Sequence, residues 1–140
     1  MRILVADQAG DLAPPCIVFL SYWGHVVEVV RDGITALRKA RSWRPDLVLA
    51  PVELERMDGL TLAAALRVAA RTSPVEVVLA GPPSAAARER ALEAGAVGYL
   101  ETPLSVVALA LTVKRVEESR RLAEGADGRR KIRARGRVVA

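Results

Sequence analysis

Apolar and polar positions alternate in blocks along the chain. Ile3-Leu4-Val5-Ala6 is a short apolar run ended by Asp7, the pattern of a strand buried on both faces. A mostly apolar segment spans residues 12–23 and closes at Gly24. Val26–Val30 is then a β-branched run stopped by Arg31-Asp32-Gly33. Ile34, Leu37 and Ala40 recur at helical spacing up to Trp43, and Pro45 ends that helix. Residues 47–50 predict a third strand, Asp58-Gly59 a turn into a helix carrying Leu62 and Leu66, and residues 75–80 a fourth strand. Residues 84–94 form an Ala/Arg/Glu helix ended by Gly95, residues 97–100 predict a fifth strand, and Pro103 opens a last helix to about Arg121.

Five strands alternating with five helices imply right-handed crossovers and an α/β, doubly wound, five-stranded parallel sheet covered on both faces. In such sheets the functional crevice lies beyond the carboxyl ends of the strands. Here that rim is predicted to hold Asp7-Gln8, Pro51-Val52-Glu53, Ala80-Gly81 and Glu101-Thr102. The folded body is expected over residues 1–122. Residues 123–140, with Gly125, Gly128 and Gly136 among basic side chains, are expected to form a disordered tail.

Composition sharpens this in three ways. Apolar residues make up 51% of 140, enough for one real core. Cys16 stands alone, so no intramolecular disulfide forms, and it is expected to be a small buried hydrophobe. The longest run without formal charge, residues 12–27, is shorter than the about 20 residues a membrane span needs, and Pro14 and Pro15 interrupt it. A soluble, cytoplasmic chain with no membrane partner is expected. The net charge of +5 lies entirely in residues 126–140, while residues 1–125 carry fifteen basic and fifteen acidic side chains. His25 is the only histidine, which argues against a histidine-based metal cluster and points to loop packing.

The chain resembles the receiver domain of two-component response regulators from about residue 2 to 116. The words that carry the resemblance are Ile3-Leu4-Val5-Ala6-Asp7, Gly24-His25-Val26-Val27, Asp32-Gly33-x-x-Ala36-Leu37, Pro45-Asp46-Leu47-Val48-Leu49, Met57-Asp58-Gly59-Leu60, Ala94-Gly95-Ala96 and Gly98-Tyr99-Leu100-x-x-Pro103, in family order. The resemblance implies the flavodoxin-like (βα)5 fold with strand order 2-1-3-4-5. It also implies phosphoryl transfer from a histidine kinase to an aspartate ending the third strand. Two acids after the first strand would hold Mg²⁺, and a hydroxyl and a lysine would neutralise the phosphoryl oxygens.

Carried over position by position, that chemistry is nearly gone. The acid pair reads Asp7-Gln8, the acceptor falls on Pro51, the hydroxyl on Ala80, and the lysine on Thr102. Glu53, two residues beyond Pro51, is the nearest surrogate acid. The expectation is a degenerate pseudo-receiver, not an enzyme, acting in phosphorelay signalling through phosphorylation-independent protein–protein contacts. No metal and no cofactor is expected. A weak divalent site at Asp7, Asp11 and Glu53 is an alternative that Gln8 and Pro51 argue against.

Three surfaces are candidates for contact. The face implied by the resemblance combines the fourth helix, fifth strand and fifth helix, with Tyr99, Arg88, Arg90, Lys114 and Arg115; it would take another signalling protein or a second copy of the chain. Tyr99 is either a switch lever or a packed strand residue with its hydroxyl in water. The uncharged first helix offers a docking patch of Ile17, Val18, Tyr22 and Trp23, and its prolines suggest a start near Pro15. Arg129, Arg130, Lys131, Arg133, Arg135 and Arg137 could form a nucleic-acid arm, the alternative function, or an inert terminus.

Overall fold

Each apolar run forms a strand in the computed structural model, which describes residues 1–69 and 75–139, with side chains described at 1–68 and 75–125. The strands are β1 (Arg2–Ala6), β2 (Val26–Val30), β3 (Leu47–Pro51), β4 (Glu76–Gly81) and β5 (Gly98–Glu101), all parallel in the order β2-β1-β3-β4-β5. Between and after them run α1 (Ala13–Tyr22), α2 (Gly33–Trp43), α3 (Gly59–Ala69), α4 (Ala85–Glu93) and α5 (Val106–Val139). The expected flavodoxin-like topology is the one observed.

The period-two alternation of side chains splits the core into two layers. Leu4, Val48 and Leu79 point to one side and meet Ala36 of α2, Leu62 of α3 and Ala87 of α4. Ile3, Val5, Leu49 and Val78 point to the other, against Cys16 and Leu20 of α1 and Leu109 and Val113 of α5. Burial on both faces is why the central strands read as continuous apolar runs.

Polar residues at the helix starts satisfy the first free N–H groups. Asp32 accepts from the Thr35 N–H at 2.8 Å, Asp58 from Thr61 at 2.7 Å, and Ser84 from Ala87 at 3.2 Å.

Two expectations need correction. α1 begins at Ala13, before both prolines, because the first turn of a helix needs no N–H donors and tolerates Pro14 and Pro15 there. α5 begins at Val106, not Pro103; Ser105 accepts the Ala108 N–H at 3.3 Å, and Pro103 stays in the preceding turn. The helical backbone of α5 is traced to Val139, while most of the expected tail, residues 126–140, lies outside the residues whose side chains are described. Arg, Ala, Lys and Glu are strong helix formers, and isolated glycines cost about 1 kcal/mol each without ending a helix.

Candidate functional site

At the carboxyl ends of the strands a cavity of about 1220 Å³ opens between the loops. Asp7, Gln8, Pro51, Glu53, Ala80 and Thr102, dispersed over 96 sequence positions, all line it. Pro51 and Ala80 are register partners across β3 and β4, so they lie side by side on its floor. Leu60, Ala87 and Leu104 add apolar wall, and Arg90 of α4 is on the rim.

The polar groups of this cavity are tied to the backbone. Asp7 is the single charged side chain in the buried set among the described residues. Its Oδ1 accepts from the Gly10 N–H at 3.0 Å, and its Oδ2 from Leu12 at 3.2 Å and Ala13 at 2.8 Å. Leu12, at the start of α1, offers no capping side chain, so Asp7 supplies the cap from the end of β1. The negative charge of Asp7 also reaches Cys16. Burial and that charge together push the thiol up to about 12, so it is an inert part of the core. Gln8 accepts the Glu55 N–H at 3.0 Å and ties the first loop to the loop after β3. Glu53 stays exposed at the mouth while Leu54 beside it turns into the core.

Tyr99 is packed on its strand, but its hydroxyl is not in water. Its side chain is buried, and its hydroxyl meets a backbone carbonyl, donating to Pro82 O at 2.6 Å, instead of water. Gly81 makes room for it: a Cβ there would sit 2.6 Å from the hydroxyl oxygen. Arg88 lies over the ring at 5.4 Å and reaches Glu101 at 3.7 Å. Burial, then Glu101, raises the phenol's pKa, and Arg88 and Arg90 oppose this. Lys114 and Arg115 are exposed on α5. The structure thus gathers Tyr99, Arg88 and Arg90 near one another, with Arg90 also lining the cavity.

All four residues of the first-helix patch, Ile17, Val18, Tyr22 and Trp23, are exposed, and Trp23 also packs against Phe19 with ring centroids 6.0 Å apart. The six basic residues of the tail lie outside the residues whose side chains are described. Among the described residues no helix is long and apolar enough to cross a membrane.

A second polar cluster, at the amino ends of the strands, escaped sequence reasoning. His25 accepts from the Met1 ammonium at 2.9 Å through Nδ1 and approaches Glu117 of α5 at 2.9 Å through Nε2. This is the arrangement of a neutral imidazole carrying its proton on Nε2. Burial lowers the pKa of His25, the Met1 ammonium lowers it further, and Glu117 opposes them. Beside it, Asp46 accepts from Arg120 at 2.7 Å and from the Arg2 N–H at 2.8 Å, joining β1, β3 and α5. The spacing of Glu117 and Arg120 on one helix was a legible signal, but nothing local placed Met1 and His25 under them.

Comparison with known proteins agrees with this geometry. The family profile described as "Response regulator receiver domain" matches residues 3–114. Response regulator MprA of Mycobacterium avium (strain 104) is 36% identical over 106 residues, which is 76% of this chain and 46% of that protein. The chain therefore spans about half the length of the curated relatives it matches. Among solved structures, a signal receiver domain of a signal transduction histidine kinase from Syntrophus aciditrophicus is 30% identical, with TM-score 0.76 over 84% of this chain and 90% of that one. Chemotaxis response regulator CheY4 of Vibrio cholerae is 25% identical, with TM-score 0.75 over 82% and 97%.

Proposed function

The chain belongs to the response regulator receiver domain family, and from that premise we propose that it is a pseudo-receiver of two-component signalling, acting through protein–protein contacts without being phosphorylated. The observation that carries this reading is the cavity floor. Pro51 ends β3 where the family's acceptor aspartate would stand, and its register partner Ala80 brings no hydroxyl. Neither side chain offers a nucleophile or a donor to a phosphoryl group.

The Mg²⁺ implied by the resemblance does not fit the donor set. Both oxygens of Asp7 are engaged by backbone N–H groups, Gln8 accepts from Glu55, and Pro51 has no donor atom in its side chain. No step through that ion is assigned. Glu53 alone at the mouth would face a phosphoryl group with Thr102 where a lysine would balance the charge.

With the chemistry removed, the face built from α4, β5 and α5 acts in one fixed state. The hydrogen bond from Tyr99 to Pro82 and the stacking of Arg88 hold that face without a phosphoryl group to bias it. Its partner is another signalling protein, met through Arg88, Arg90, Lys114 and Arg115. Incubating the full chain with acetyl phosphate and Mg²⁺ and measuring its intact mass tests the proposal. Unchanged mass is the expected result, and a phosphoryl adduct mapping to Glu53 would overturn it.

A further inference from the structure

A helix lying on a sheet needs one apolar stripe, and α1 has two. Ala13, Cys16 and Leu20 form the buried stripe. Ile17, Val18 and Tyr22 present a second one to water, at 46%, 62% and 85% exposure. The edge of the sheet beside α1 is apolar and exposed as well. α1 packs chiefly on β2, the edge strand. Val29 of β2 shares with Val27 the face that α1 covers and is itself exposed. Trp23, at the end of α1, extends the apolar surface toward the amino end of the strand. Together these side chains expose on the order of 600 Å², the upper end of what a typical monomer shows.

The edge is also open along its backbone. The Val26 N–H donates to Met1 O, and Val30 O accepts from the Asp7 N–H. Even-numbered residues of β2 therefore face β1, and the N–H and C=O groups of Val27 and Val29 point away from the sheet. No further strand pairs with them among the described residues.

We propose that a second copy of this chain covers the α1–β2 face. In this isologous dimer β2 pairs antiparallel with its own counterpart, and the two α1 helices lie side by side on the same face of the joined sheet. Charge selects this occupant. Residues 12–27 carry no formal charge, so two copies meet across the two-fold axis with no like-charge contact. A partner helix bearing ordinary surface charges would have to desolvate them against valine and tyrosine. Glu28 sets the register: centring the pair on Val27 places each Glu28 opposite Val26 of the second copy, whereas centring it on Glu28 would bring two carboxylates face to face. With the β2 backbone added to the apolar stripe, each copy approaches the about 800 Å² a side of a standard stable interface. The proposal goes beyond the pseudo-receiver reading and uses a surface separate from α4, β5 and α5.

Sedimentation equilibrium of the full chain across a wide concentration range tests it, with Val18→Glu, Tyr22→Glu and Leu111→Glu as variants. All three positions are exposed, and circular dichroism verifies that each variant is folded. The expected result is a dimer of the 15.0 kDa chain that either α1 variant weakens at least tenfold and Leu111→Glu on α5 leaves unchanged. Hydrogen exchange should slow at the Val27 and Val29 amides as concentration rises. A monomer at every concentration overturns the proposal. So does a dimer broken by Leu111→Glu but not by Val18→Glu or Tyr22→Glu, or one whose Val27 and Val29 amides stay unprotected. Acetyl phosphate labelling reads the pseudo-receiver proposal separately, so the two can fail independently.

Discussion

The two ends of the sheet handle polar side chains in opposite ways. At the carboxyl end, Asp7, Gln8 and Tyr99 each spend their hydrogen bonds on backbone groups of neighbouring loops, around a floor of Pro51 and Ala80. At the amino end, ionisable groups meet one another: Met1 with His25, His25 with Glu117, and Arg120 with Asp46. Backbone ties join the loops of the first end to one another. Ionic ties make the second a clasp on α5 whose strength depends on protonation.

Breaking the carboxyl end should cost most. Gly59 lies where a Cβ would collide with the Pro51 carbonyl, a backbone atom that cannot step aside. Gly59→Ala should destabilise the fold by about 3 kcal/mol, read by urea unfolding. Asp7→Ala comes next, at about 2 kcal/mol, because it leaves the Leu12 and Ala13 N–H groups at the start of α1, and that of Gly10 in the preceding loop, without their acceptor. A loss no larger than that of an ordinary surface substitution would show that Asp7 is not the cap of α1.

At the amino end, Arg120→Ala should cost about 1 kcal/mol, since its pair with Asp46 is only partly shielded from water. The smallest effect is the one in pH. The folded pKa of His25 lies below the ordinary 6.5, so the unfolded chain binds more protons in the interval between the two values. The stability this group contributes is complete above pH about 6.5 and is lost as pH falls through the folded value. Melting temperatures of wild type and His25→Asn against pH should show a shallower acid slope in the variant. Equal slopes would place the acid sensitivity elsewhere.

Much of this was legible in the chain. Every strand followed from apolar runs separated by helical stretches, because a strand buried on both faces has no room for polar positions; the sheet order is the one the family resemblance implied. The six rim residues could be gathered from sequence because strand ends in this topology converge whatever side chains they carry. Tyr99 was harder. That its hydroxyl would find Pro82 depended on Gly81 leaving space, a contact across β4 and β5.

The sequence by itself determined the layers, the crevice, a proline at the end of the third strand and the uncharged first helix, all consequences of local pattern and periodicity. Tertiary structure alone decided that Asp7 caps α1, that His25 clasps α5 to the amino end, and that α5 runs on past residue 122. The first two join residues through folding that no spacing rule encodes: 6 positions around a turn in one case, 24 and 92 positions across the sheet in the other. A polar atom takes whichever partner the packed chain brings within hydrogen-bonding distance, and that is set only when the layers close.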